Sequence, residues 1–235
     1  MLAKLKSPRI LLIAVVALAA VFAVAYFTLF DTDSPPELTL QTQGSTEAQA
    51  PPTGDLAGTW TVSAAESVAG YRVREKLANL PAQSDAVGRT TAVTGGMTVA
   101  ASGDGLVARD LQMEVDLTRL RSDETRRDNR IRTQGLESSR FPKATFASTG
   151  DISVPASAAT GQPFDTTVDG DLTLHGVTRR VRIPVKGQLV GDAAEVVGSL
   201  QFPMSMFDID PPNIGGFVTV EPNATLEFKI VLKKS

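Results

Sequence analysis

Apolar and polar residues alternate with period two through much of the chain after residue 55. Leu111, Met113, Val115 and Leu117 are separated by Gln112, Glu114 and Asp116. Val181, Ile183 and Val185 alternate with Arg180, Arg182 and Lys186; Leu200, Phe202, Met204 and Met206 alternate with Ser199, Gln201 and Ser205. Leu226, Phe228, Ile230 and Leu232 form a last such run. Strict alternation gives a β-strand one apolar face. Gly95-Gly96, Ser102-Gly103-Asp104-Gly105, Asp169-Gly170 and Gly191-Asp192 read as the turns between strands. Many short strands with polar outer faces predict an all-β fold, an antiparallel barrel or sandwich. Ser122 to Gln134 departs from the period. It is polar and rich in helix formers, which predicts a short inserted helix. Ser122 is its expected cap, Asp123 and Glu124 lie in its first turn, and Gly135 ends it.

Residues 10–30 carry no charge and are long enough to cross a hydrocarbon core as a helix. Lys4, Lys6 and Arg9 precede the run, and Asp31, Asp33 and Glu37 follow it. Basic residues before a span keep residues 1–9 in the cytoplasm, so the remainder is expected outside it. Ala23-Val24-Ala25 has the small-x-small form of a signal-peptidase site, but the apolar run continues through Tyr26, Phe27, Leu29 and Phe30. We therefore read 10–30 as a single-pass signal-anchor in the cell membrane. Residues 31–54, rich in Pro, Ser, Thr, Gln and Gly, read as a flexible linker. Residues 55–235 form the extracytoplasmic domain.

Composition narrows the chemistry. The net charge of -3 and the sparse aromatics give no basic surface or stacking platform, so no nucleic acid partner is expected. With no cysteine and one histidine there is no usual zinc site, no thiolate nucleophile and no disulfide, and no metal or cofactor is expected. His175, beside Gly176 at a strand end, reads as a structural residue holding a turn. Catalysis would need a nucleophile beside it, and no G-x-S-x-G pattern occurs. Asp169 and Asp171 would suit an acid–base pair, but turn chemistry accounts for them. Arg121, Arg126, Arg127, Arg130 and Arg132 would suit an anionic head group if they converged; otherwise they are a solvated face balanced by Asp123, Glu124 and Asp128.

Several ordered blocks resemble the YceI-like, or polyisoprenoid-binding, family. The strand Leu111 to Leu120 precedes Arg127-Asp128 and Ile131-Arg132, similar to the family's R-D-x-x-L-R. Phe141-Pro142-Lys143-Ala144-Thr145-Phe146 with Ser148-Thr149 resembles its Y-P-x-x-x-F-x-S-T, and Gly170 to Thr178 resembles its G-x-L-T-x-H-G-V-T. The resemblance spans about residues 58–233. It departs at Tyr71-Arg72-Val73-Arg74-Glu75, where many members carry a histidine, and at Val87-Gly88-Arg89-Thr90 and Met206 to Pro212.

The resemblance implies a lipocalin-like antiparallel β-barrel of about eight strands that binds an isoprenoid or other lipid-like amphiphile and is not an enzyme. The alternative is a structural or interaction module of the cell envelope with a filled barrel. The expected ligand-lining residues are Val73, Leu111, Met113, Val115 and Leu117 from the first part of the domain. Ile131, Leu136, Phe141 and Phe146 follow around the helix, then Leu172, Leu174, Phe202, Met204 and Met206. The oligomeric state is not readable from these patterns.

Overall fold

The computed structural model describes residues 34–40, 55–77, 83–103, 105–214 and 218–235. The apolar run at 10–30 lies outside these residues, as does most of the 31–54 segment. Strand β1 runs Gly58–Val62 and β2 runs Val68–Leu77, joined through a 3-10 turn at Ala64–Glu66. β3 (Gln83–Thr90) pairs with β2, and β4 (Val93–Ser102) pairs with β1, making one long hairpin. β5 (Gly105–Asp116) pairs with β4 on one side. On its other side it meets β6 (Lys143–Ser148) and β7 (Ile152–Val154), which share a single stave. β8 (Phe164–Leu174), β9 (Val177–Val190) and β10 (Ala193–Pro203) continue the antiparallel order. β11 (Asn213–Ile214) pairs with the start of β12 (Val218–Lys234). β12 then pairs with β10 along one edge and with β2 and β1 along the other, which closes an eight-stranded antiparallel barrel.

Parity sorts the side chains into two faces. On β8 and β9, Val168, Leu172, Leu174, Val181, Ile183 and Val185 point inward and are buried. Between them Asp169 and Asp171 point outward and pair with Arg182 (2.7 Å) and Arg180 (2.8 Å). Asp169-Gly170 is therefore not a turn but mid-strand. Gly170 is glycine because Phe146 of β6 lies over it: a Cβ there would sit 2.2 Å from the ring Cζ. Gly95-Gly96 is likewise inside β4, with the Met113 sulfur and backbone crossing Gly95 too closely for a Cβ. The other two glycine signals do turn. Gly105 pairs with Ser102 and Ala193 with Val190, with Gly103 and Gly191 at positive φ.

Two apolar runs stop short of their expected strands. β5 ends at Asp116, whose side chain accepts from the Thr118 amide at 2.9 Å and starts a 3-10 turn, so Leu117 is buried from that turn. β10 ends at Pro203, and Met204–Phe207 form another 3-10 turn, so Met204 and Met206 are not strand residues. The inserted helix, α1, is Thr125–Thr133. Its cap is Glu124, accepting from the Arg126 amide at 3.0 Å, rather than Ser122. The Ser122 hydroxyl instead donates to the buried Asp128 carboxylate at 2.8 Å. Gln134 closes the helix and Gly135 follows at φ 65.

The outer wall of β2, β3 and β12 carries a buried carboxylate. Glu227 is 3% exposed and bridges Arg72 (3.2 Å) and Arg89 (2.7 Å). The same guanidinium groups donate to the carbonyl oxygens of Pro35 (2.7 Å) and Pro36 (2.5 Å). Part of the segment read as linker is thus held against the barrel wall.

Phe207, fully buried, meets Phe202 edge to face at 5.2 Å between centroids. Phe207→Ala is expected to cost about 3–5 kcal/mol by transfer and cavity terms. Urea unfolding with an unchanged m-value checks it; a loss below about 1 kcal/mol would mean the turn collapses onto the gap.

Candidate functional site

The candidate site is the inner face, and it is not uniform. The middle of the β8–β9 wall is closed: Val168, Leu172, Leu174, Val181, Ile183 and Val185 are buried, with Phe164 and Val177 half-buried toward the strand ends. On the other strands some inward side chains, such as Val93, Ala144 and Phe202, are buried, and others keep accessible surface. Leu111, Met113 and Val115 on β5, Phe146 on β6, Leu200 on β10, and Leu226 and Phe228 on β12 are half-buried, as are Tyr71 and Val73 on β2. Their outward neighbours on β5 and β2 are polar, so parity alone puts these apolar groups inside. A β-bulge sets the parity of β5. Asp110 adopts φ 54, and the register slips by one between Gly96 and Thr98, which returns Leu111 to the inner face after Ala108.

The expected liners fall into three groups. Val73, Leu111, Met113, Val115, Phe146, Leu172, Leu174 and Phe202 all come from strands and join the core cluster or pack on it. Leu117, Met204, Leu136 and Met206 join it from turns and loops, the first two buried and the last two half-buried. Ile131 and Phe141 are outside that cluster among the described residues. Ile131 is on α1, and the Phe141 ring is engaged elsewhere: it stacks edge-on against His175 at 4.5 Å, with the Arg140 guanidinium over its face.

His175 and Gly176 form the two-residue turn between β8 and β9, both at positive φ (53 and 75). The ring is tied on both sides. Nδ1 lies 3.1 Å from the Phe207 carbonyl oxygen, and Nε2 lies 2.9 Å from the Glu137 carboxylate. Both partners are acceptors, so a neutral ring donates to one of them and an imidazolium to both. His175 thus joins three segments: its own hairpin, the loop after α1, and the 3-10 turn that follows β10.

The arginines of the α1 region do not converge on one point. Arg121 donates to the carbonyls of Thr118 (3.2 Å) and Leu120 (2.7 Å), and Arg132 to Asn129 (3.4 Å). Arg127 reaches Glu75 on the inner face of β2 at 3.2 Å and also pairs with Asp123. Burial works against the Arg127 charge but is outweighed by Glu75 and Asp123, so its pKa is raised. Asp169 and Asp171 stay on the outer face, bound to arginines, away from the interior.

Tyr71, Glu75, Leu200, Leu226 and Phe228 also face the interior and were not among the expected liners. The last three were legible as alternating runs. The signal for Tyr71 was Gly88 opposite it: the two are paired, and a Cβ at Gly88 would fall 2.3 Å from the Tyr71 ring.

A family model of the YceI-like domain matches residues 60–232. Among solved structures, the chain resembles a polyisoprenoid binding domain from Saccharophagus degradans, implicated in plant cell wall breakdown. The two share 18% identity and a TM-score of 0.57, covering 75% of this chain and 98% of that one. It also resembles BcnA of Burkholderia cenocepacia, with 21% identity and a TM-score of 0.53, covering 72% of this chain and 98% of that one. At these identities the likeness is one of fold. A search of curated proteins finds no match.

His175→Asn is expected to destabilise the domain by about 1–3 kcal/mol. Asparagine tolerates the left-handed turn, so the loss reports the ring contacts. Combined with Glu137→Ala, the two losses are expected to be less than additive in a chemical-denaturation cycle. Full additivity would mean that the contact between them contributes nothing.

Proposed function

The chain belongs to the YceI-like domain family, and on that premise we propose that its barrel binds an apolar chain, an isoprenoid or similar amphiphile, for storage or short-range transfer. The observation that carries this reading is the asymmetry of the inner face. Leu111, Met113, Val115 and Phe146 point inward yet keep accessible surface, on strands that run beside a β8–β9 wall whose inward apolar side chains are mostly buried. A chain laid along them removes its own apolar area and theirs from water, at about 0.8 kcal/mol per CH₂ of ligand. Met113 and Met206 suit a ligand whose length and branching vary, because an unbranched thioether repacks at little cost. The similarly folded domain from Saccharophagus degradans is described as polyisoprenoid binding, which supports the same chemistry here.

The apolar run at 10–30, with Lys4, Lys6 and Arg9 before it, supports a membrane anchor and an extracytoplasmic barrel. A site beside the membrane would meet such ligands where they leave or enter the bilayer. We assign the chain no catalytic step: the His175 ring contacts a backbone carbonyl and a carboxylate, and Asp169 and Asp171 are paired on the outer wall.

Thermal unfolding of the full-length protein, held soluble in an amphipathic polymer, tests the reading. A long-chain prenyl alcohol at 100 times its dissociation constant is expected to add about 2.7 kcal/mol to stability. Met113→Trp, which fills the interior, is expected to melt within a few degrees of the native protein and to lose that response. No shift with any prenyl or acyl chain would instead favour a filled barrel acting as a structural or interaction module.

A further inference from the structure

One interior polar atom is not accounted for by the packing around it. Tyr71 alternates on β2 with Arg72, whose guanidinium sits on the outer wall, so its ring enters the barrel across Gly88. The phenol oxygen is buried and has no hydrogen-bond partner among the described residues. Buried hydroxyls in folded proteins are almost always partnered, and a lone one costs free energy unless something else satisfies it.

The charges around the ring restrict what that can be. Glu75 lies two residues along the same face, and Asp123, Arg127 and Asp128 come from α1 and the segment before it. Arg127 is the single cation of this group and is already paired with Glu75 and Asp123. Asp128 accepts from the Ser122 amide at 2.9 Å and hydroxyl at 2.8 Å. Three carboxylates against one guanidinium leave the surroundings net negative. Burial raises the phenol pKa most; Arg127 opposes this, while Asp128, Glu75 and Asp123 add to it. The group is therefore a neutral O–H donor at any physiological pH.

We propose that the Tyr71 hydroxyl recognises the polar end of the bound chain, and that this end is an uncharged oxygen acceptor, an alcohol or a carbonyl, rather than a phosphate. The inference rests on the binding reading above and specifies the ligand's head. A phosphate would meet a net negative environment whose one guanidinium is occupied. An alcohol or carbonyl oxygen gains a hydrogen bond and brings no charge. The Tyr71 ring is half-buried and borders the accessible interior while its oxygen is covered, so binding includes a rotation of the ring that uncovers the oxygen.

The test is equilibrium binding of farnesol, farnesyl diphosphate and the hydrocarbon farnesene to the full-length protein and to Tyr71→Phe. The native protein is expected to prefer farnesol over farnesene by about tenfold, the factor that one buried hydrogen bond supplies, and to bind the diphosphate more weakly than the alcohol. Tyr71→Phe is expected to lose that preference, leave farnesene affinity unchanged, and melt at or above the native temperature because no hydroxyl is left unpaired. A preference that survives in Tyr71→Phe, or a diphosphate that binds better than the alcohol, overturns the proposal. If all three probes bind equally to both proteins, this inference fails and the binding reading stands. If none binds to either, both fail.

Discussion

The rest of the structure depends on the closure of the sheet by β12. This strand pairs with β10 along one edge and with β2 and β1 along the other, so the ring has no free edge at its seam. Closure pairs β12 on both sides and, outside the bulge of β5, divides the strands into an inward and an outward face. A one-residue shift of β12 would exchange Leu226 and Phe228 for Glu227 and Lys229 on the inner side. The register of β12 is therefore what keeps the interior apolar. The buried Glu227, held between Arg72 and Arg89, is a consequence of the same register and opposes its slippage: turned inward, that carboxylate would lose both guanidinium partners.

Two kinds of contact meet at one end of the barrel, where β5, β8 and β10 finish and Glu75 of β2 lies. Near the β8–β9 turn, His175 ties its hairpin to Glu137 and to the carbonyl of Phe207, with Phe141 and Phe202 packed beside these groups. This cluster is built from aromatic contacts and converging hydrogen bonds. At the segment leading into α1, charged groups meet the interior instead, with Glu75 reaching Arg127. The inward apolar side chains of β8 and β9 are mostly buried, whereas several on β2, β5, β6 and β12 keep accessible surface. An apolar chain with one polar end fits an interior of this kind.

Much of this was legible in the alternation. β9 and β12 follow their apolar runs, and the glycine hairpins at Gly103 and Gly191 lie where turn chemistry puts them. Other features were not, and the reasons are physical. Gly170 and Gly95 read as turn residues, yet each is glycine because a side chain or backbone from the next strand crosses it, which is a long-range cause invisible to local pattern. The runs ending at Leu117 and at Met204 and Met206 pass from strand into 3-10 turn without losing their period, so the period overstates the strands. The bulge at Asp110 depends on pairing with β4 and leaves no mark in composition. Of the candidate site, the β5 liners were readable as an apolar face, and Phe146 of β6 came with the family resemblance. Tyr71 and Glu75 were visible only as a departure from the family's pattern, because their meaning depends on Gly88 and Arg127 in other elements.

The central claim is that a prenyl chain lies along the open side of the inner face, and photolabelling tests it most directly. A prenyl alcohol carrying a diazirine near its tail would be photolysed with the full-length protein in membranes, and the labelled peptides mapped by mass spectrometry. The account predicts labels on the inward positions of β5 and β6, around Leu111 to Val115 and Phe146, reduced by excess unlabelled prenyl alcohol. Labels confined to outward residues such as Arg180 or Arg182, or labels that unlabelled ligand does not displace, would contradict it.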